Sequence, residues 1–156
     1  MRPDQGGSAS RLRAAGLRVT ALRLAVLGLL DEGGRHPSVE EVAEAARARL
    51  GSGSLQASYA VLHDLEQVGL VRRIEPIGHP ARYEARVGDN HHHLVCRRCG
   101  AIADVDCAIG HAPCLTPAWD AGYVVHEADV TYWGHCPVCR DDPARDQPEP
   151  GLPTTP

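Results

Sequence analysis

The sequence contains no lysine and no phenylalanine, and its aromatic residues are only two Trp and four Tyr. All 16 basic side chains are therefore Arg, while Ala, Gly and Pro are abundant, a bias that reflects a GC-rich genome. No apolar run reaches the roughly 18 residues that a membrane span needs. The opening MRPDQGGSAS lacks the apolar core of a secretory signal. The expectation is a cytoplasmic protein with no membrane partner. Six cysteines in such a chain point to metal or thiol chemistry and away from a disulfide framework. With 156 residues and 43% hydrophobic content, the chain is not compositionally disordered and can form one domain or two small ones.

A basic surplus is also missing, since the net charge is -4. That excludes a uniformly basic nucleic-acid binder, but the charge divides unevenly. Residues 1–84 carry 11 Arg against 10 acids, a balance of +1, and residues 85–156 carry 5 Arg against 10 acids, a balance of -5. Near the start, Arg2, Arg11, Arg13, Arg18 and Arg23 face only Asp4. Local basic charge is what phosphate contacts require. A solvated Arg-rich face would give the same count.

Residues 10–15 suit a short helix stopped by Gly16. Thr20 is placed to cap a second helix whose apolar stripe is Leu22, Val26, Leu27, Leu29 and Leu30. Ser38 and Glu41 fit a capping box for a third, with Val42, Ala45, Ala46 and Leu50 on its face before Gly51. Ser54 can cap a fourth, with Leu55, Tyr59, Leu62, Leu65 and Val68 at helical spacing and Gly69 as stop. Then the period changes. LVRRIEP and ARYEAR are strand-like and are joined by Ile77, Gly78, His79 and Pro80, which reads as a hairpin. Helices followed by a hairpin give the order of a winged helix-turn-helix domain, whose last helix enters the major groove. Gln56, Ser58 and Tyr59 stand early on that helix and can bond phosphates or base edges. Tyr59 packing inward is the plainer alternative.

Residues 87–90 read as a hinge. After it come strand-like runs near 92–96, 101–106 and 123–133 and a short helix near 112–121. The fold class is α+β, with an N-terminal winged helix-turn-helix domain at 1–86 and a C-terminal α/β domain at 91–140. A tail at 141–156, rich in Pro and Asp, is expected to be disordered.

CRRC and CPVC are two C-x-x-C pairs separated by 36 residues. Each puts two thiolates on a tight turn. Together Cys96, Cys99, Cys136 and Cys139 complete a tetrahedral S4 shell, which suits structural Zn(II) and leaves no position for a substrate. A thioredoxin-like redox pair fits poorly, because two matched pairs are present and no βαβ unit surrounds either. Cys107 and Cys114 are left as buried residues, reactive thiols or an occasional disulfide.

His91, His92 and His93 precede the first pair. On a strand His91 and His93 share one face and His92 takes the other. With Glu84 and Asp104 in neighbouring strand-like runs, a mixed N/O site for Fe(II), Mn(II), Co(II) or Zn(II) is possible. A surface histidine run is the alternative.

Taken in order, GLRVT, SYAVLHDLEQVGLVRRIE, RYE, HHHLVCRRCGAIADVD and GHCPVC resemble the ferric uptake regulator (Fur) family over about residues 10–140. GDNHHHLVCRRCGAIADVDC is most similar to the actinobacterial FurA/CatR-type peroxide-responsive repressors. The resemblance implies a regulatory site for Fe(II) or Mn(II) made by His36, Glu84, His91, His93 and Asp104. His36, ahead of the third helix, is singled out only by the resemblance; on its own it reads as loop. The resemblance further implies a homodimer that binds a double-stranded DNA operator, with Arg18 at a basic position that contacts DNA in relatives and with the C-terminal domain as dimerisation domain; Arg11 and Arg13 are DNA-contact candidates from the local basic charge. Asp104 is the acidic ligand found in peroxide-sensing relatives, where iron sensors have Glu. This implies a peroxide-responsive repressor of catalase-peroxidase and of its own gene. An iron- or zinc-uptake regulator of the same family is the alternative.

The chain departs from the family in two places. Asn90 and Ala128 stand where a third metal site would have histidines, so His92 and His111 are not expected to hold an ion, although His126 and Glu127 lie nearby. Ala57-Ser58-Tyr59-Ala60 replaces a common Thr-Val-Tyr-Arg on the recognition helix. No nucleophile motif is present, so a hydrolase is not expected. An inert zinc-ribbon adaptor remains the other class.

Overall fold

The structure, a computed structural model, describes residues 7–89, 91–106, 121–125 and 130–141. The expected helix near 112–121 falls almost wholly outside these residues, as do His111, Cys107, Cys114 and the tail beyond 141.

Four helices come first: α1 (Ser8–Ala14), α2 (Ala21–Asp31), α3 (Val39–Leu50) and α4 (Leu55–Gln67). Their starts follow from side-chain caps that satisfy otherwise orphaned backbone N–H groups. Thr20 accepts from Arg23 N, Ser54 accepts from Ala57 N, and Ser38 and Glu41 form the reciprocal capping box. Gly51 ends α3 in the left-handed conformation at φ 70°, which a side chain would resist.

The helices pack on a single apolar cluster drawn from Leu12, Val26, Leu27, Val42, Leu62, Leu65 and their neighbours, closed by Tyr83. The stripe of α4 differs from the one the spacing suggests. Ser58, Val61, Leu62 and Leu65 are buried, while Leu55, Tyr59 and Val68 are exposed. The buried face is thus turned away from Tyr59, because Ser58 and not Tyr59 follows the i, i+3, i+4, i+7 progression through Val61, Leu62 and Leu65. Leu50, expected on the α3 face, is also exposed.

A hairpin follows, β1 (Arg72–Ile74) against β2 (Arg82–Glu84), antiparallel with Arg72 opposite Glu84. Helices α2 to α4 and this hairpin make the winged helix-turn-helix arrangement. Tyr83 N donates to Pro37 O at 3.1 Å, so β2 is zipped onto the segment leading into α3.

The remaining strands form a three-stranded sheet in the order β4-β3-β5, from β3 (His91–Cys96), β4 (Ile102–Asp106) and β5 (Thr131–Gly134). Strands β3 and β4 are antiparallel, with His93 opposite Asp104, and β3 and β5 are parallel. The strand expected over 123–133 is a strand only at 131–134 among the described residues; 121–125 form a turn and an exposed extended stretch. A single helical turn, α5 (Pro137–Arg140), closes the second C-x-x-C pair.

Candidate metal centres

Strand alternation builds the first cluster. His91 and His93 are two residues apart on β3 and project to one side, where their Nε2 atoms lie 3.2 Å apart. His92 takes the other side, beside Tyr132. Register brings Asp104 opposite His93. From the hairpin side, the Tyr83–Pro37 bond sets His36 beside Glu84 at the end of β2, with His36 Nε2 3.2 Å from Glu84 Oε2. That same oxygen lies 3.1 Å from His91 Nε2 and 3.4 Å from His93 Nε2. Asp104 Oδ1 is 2.8 Å from His36 Nε2. All five residues singled out in the sequence thus converge, and four of them hold their ligand atoms within 4.8 Å of one another.

The arrangement suits a divalent cation. Donors about 2.1 Å from one ion stand about 3.0–3.4 Å apart. The spacings among His36, Glu84, His91 and His93 fall in that range, and Asp104 Oδ1 lies 2.8 Å from His36 Nε2 and 3.9 Å from His93 Nε2. The groups are also poorly satisfied by one another. Glu84 Oε1 and Asp104 Oδ1 are buried without a hydrogen-bond partner. Two imidazole nitrogens facing each other can share at most one proton. His93 is fully buried, and His36, Glu84 and His91 nearly so. Burial by itself raises the Glu84 carboxyl, but hydrogen bonds to His36 and His93 and the charges of His91 and His93 outweigh it and hold the carboxyl far below the usual range. A cleft of about 560 Å³ that includes Arg35, Asp89 and Asp106 borders His36, Glu84 and Asp104.

The second cluster is the four cysteines. Cys96 and Cys99 end β3 and its turn, Cys136 stands at the N-cap of α5, and Cys139 lies within it. All four are free thiols within 4.8 Å of one another, with Cys99 Sγ 3.7 Å from Cys136 Sγ. Sulfurs on a tetrahedral zinc at about 2.3 Å stand about 3.8 Å apart, so the cage has the right size. Burial raises the Cys96 thiol, yet the backbone N–H groups of Cys136, Cys99 and Arg98 more than offset this and bring it down to about 6. Cys139 is pushed up to about 12 by burial and by the adjoining thiols. Four sulfurs this close cannot all ionise without a cation among them.

The knuckle touches the hairpin loop. His79 Nε2 lies 3.0 Å from Arg97 O, and a Cβ on Gly100 would fall 2.7 Å from His79 Nδ1. Gly100 also has φ 69°. Gly100→Ala is therefore expected to destabilise the protein by at least about 1 kcal/mol. His79→Ala should recover the steric part and leave the conformational part. A urea-melt double-mutant cycle checks this, and additive effects would refute the contact.

Among the residues expected from the sequence to contact DNA, exposure divides the set. Gln56 and Tyr59 are exposed on α4, as are Ala60 and His63 one turn on. Arg13 and Arg18 are exposed as well. Ser58 must be withdrawn: it is fully buried and its hydroxyl donates to Ser54 O at 3.2 Å. Arg11 is half-buried in a 2.6 Å ion pair with Asp31, which ties α1 to the end of α2. Arg23 similarly braces α4 through Asp64 at 2.6 Å. The sequence reading missed His63, which helical spacing from Tyr59 could have found. It also missed Arg86, whose contacts to Asp104 and Asp106 depend on how β4 is placed, and Asp89, whose contacts to Arg86 and His91 depend on the turn before β3.

The family model described as "FUR: Ferric uptake regulator family" matches residues 14–130. This chain belongs to the ferric uptake regulator family. It is 53% identical over 141 residues to the transcriptional regulator FurA of Mycobacterium tuberculosis, covering 90% of this chain and 95% of that one. It is 27% identical over 140 residues to the peroxide-responsive repressor PerR of Staphylococcus epidermidis, covering 86% and 89%. Its fold matches the ferric uptake regulator of Pseudomonas aeruginosa with manganese, at a TM-score of 0.68, 29% identity, and coverage of 83% of this chain and 98% of the other. The chain is accordingly a Fur-family metal-responsive transcriptional regulator. No described helix is long and apolar enough to cross a membrane.

Proposed function

We propose that this Fur-family member is a cytoplasmic homodimeric repressor that binds double-stranded operator DNA when a regulatory metal occupies His36, Glu84, His91, His93 and Asp104. Zn(II) at Cys96, Cys99, Cys136 and Cys139 would be structural. The observation that carries this reading is the convergence of five buried or half-buried ligand groups from both sides of residues 87–90. His36 and Glu84 come from the helix-and-hairpin part, and His91, His93 and Asp104 from the sheet. We divide the chain into a DNA-binding unit at 1–86 and a metal-binding dimerisation unit at 91–140, because among the described residues the apolar cluster draws on residues 12–85.

Bound Fe(II) would supply both the divalent charge the cluster lacks and an electron with which peroxide could oxidise a neighbouring imidazole. The rest is the work of the side chains. Without a cation, buried Glu84 Oε1 and Asp104 Oδ1 stay without an aligned hydrogen bond, which disfavours the closed arrangement. Holding the two units together sets the angle of α4, and in a dimer that angle sets the spacing of two recognition helices against half-sites. Differential metal affinity for the closed arrangement drives the shift.

Asp104 as the acidic ligand, together with the similarity to a peroxide-responsive repressor, supports sensing of peroxide. Repression of catalase-peroxidase and of its own gene would follow. The match to a ferric uptake regulator holding manganese favours the alternative, an iron- or zinc-uptake regulator. Mass spectrometry of the Fe(II) protein after low peroxide separates them. Added oxygen on His91 or His36 with release of DNA is expected; unmodified histidines with DNA retained would favour uptake control. For the DNA face, Tyr59→Ala is expected to weaken operator binding by about 1–3 kcal/mol, the scale of a lost base contact. Ser58→Ala should leave affinity unchanged, as fluorescence anisotropy would read.

A further inference from the structure

Asp89 and Arg86, beside the first cluster, have no assigned role, and each touches one of its members. Asp89 Oδ1 lies 2.6 Å from His91 Nδ1, and Asp89 Oδ2 receives Arg86 Nε at 2.7 Å. Arg86 Nη2 donates to Asp106 Oδ1 at 2.7 Å, and Nη1 reaches Asp104 Oδ2 at 3.5 Å. Arg86 follows the hairpin, Asp89 precedes β3, and Asp104 and Asp106 are on β4.

These contacts choose atoms. A carboxylate on Nδ1 commits that nitrogen of His91 as the donor, so the Nε2 lone pair faces Glu84 Oε2 and His93 Nε2. Arg86 takes the outer oxygen of Asp104. The inner oxygen, Oδ1, is left facing His36 and His93, buried and not aligned for a hydrogen bond with either. Both effects present a bare ligand atom toward the same point.

We propose that Asp89 and Arg86 are positioning residues for the regulatory metal: Asp89 fixes the His91 ring, and Arg86 fixes Asp89 and reserves Asp104 Oδ1 as the ligand atom. This rests on the regulatory-metal reading above. A purely structural brace would predict a lower melting temperature with unchanged metal affinity.

The test uses full-length, zinc-loaded protein and Mn(II) alone as probe, titrated by calorimetry. Asp89→Ala and Arg86→Gln are each expected to weaken Mn(II) about 10–100-fold, the usual effect of losing an outer partner of a ligand. Their combination should be less than additive, since both act partly through His91. Asp89→Asn keeps an oxygen acceptor for Nδ1–H and should recover part of the affinity; it also serves as the readout if the alanine variant does not fold. In metal-free protein, the ring N–H of His91 should give a slowly exchanging proton resonance that Asp89→Ala removes. Wild-type Mn(II) affinity in Asp89→Ala or, failing that, in Asp89→Asn together with Arg86→Gln overturns the proposal. His93→Ala is the control. If it too retains the Mn(II) site, the regulatory-metal reading fails; if it loses the site while the Asp89 and Arg86 variants keep it, only the positioning roles fail.

Discussion

Cys136→Ser is expected to lose its zinc and, with it, the folded β3–β4–β5 sheet. The reason lies in how little else holds that sheet. Among its described residues and those of α5, the only buried apolar ones are Val95, Cys96 and Cys139, and two of these are cage thiols. Leu94 and Tyr132, which could have thickened a core, are exposed. So small a core rarely supports a fold without a staple. Structural zinc contributes an apparent 10–16 kcal/mol, roughly, in small zinc-folded peptides, enough to decide the outcome here. The four helices have their own apolar cluster and should keep their far-ultraviolet signal. Trp133 on β5, under the Arg97 guanidinium, should lose its near-ultraviolet signal. Metal analysis with circular dichroism checks both. An unchanged Trp133 environment in a zinc-free variant would refute the structural role.

His93→Ala is expected to abolish the second metal equivalent while leaving zinc in place. His93 is the fully buried member of the cluster, with its Nε2 near Glu84 Oε2 and His91 Nε2 and its ring edge-on to those of His36 and His91. Removing a ligand outright should cost more than the about 10–100-fold lost with an outer partner. Calorimetry with Mn(II) on zinc-loaded protein reads this directly. A retained second equivalent would show that the cluster is not the site.

Much of this was legible in the sequence where the physics is local. Thr20, Ser38 with Glu41, and Ser54 announced three helix starts because a cap acts within three residues. The C-x-x-C spacing announced the thiol cage because each pair lies on one turn. The period of two placed His91 and His93 together and His92 apart. The failures are also physical. Ser58 looked available because its neighbour Tyr59 was assigned to the buried stripe; a shift of one residue rotates a helix face by about 100° and exchanges their roles. His36 is 48 residues from Glu84, and no local pattern brings them together. The backbone bond from Tyr83 to Pro37 and the reach of Arg82 to His36 O do so, and these are products of the tertiary fold. Arg86 was silent for a related reason, since its partners Asp104 and Asp106 on β4 are brought near by the tertiary fold, and Asp89 was silent because its bond to His91 depends on the conformation of the turn before β3.

The central claim is that metal at the first cluster governs DNA binding by joining the hairpin side to the sheet side. The most direct measurement is operator binding by zinc-loaded protein, with DNA from upstream of its own gene, followed by anisotropy with and without Mn(II). Wild-type protein should bind tightly only with Mn(II), and Glu84→Ala, which removes the oxygen shared by His36, His91 and His93, should bind equally weakly in both conditions. Mn(II)-dependent binding that survives in Glu84→Ala, or tight binding by wild-type protein without Mn(II), would contradict the account.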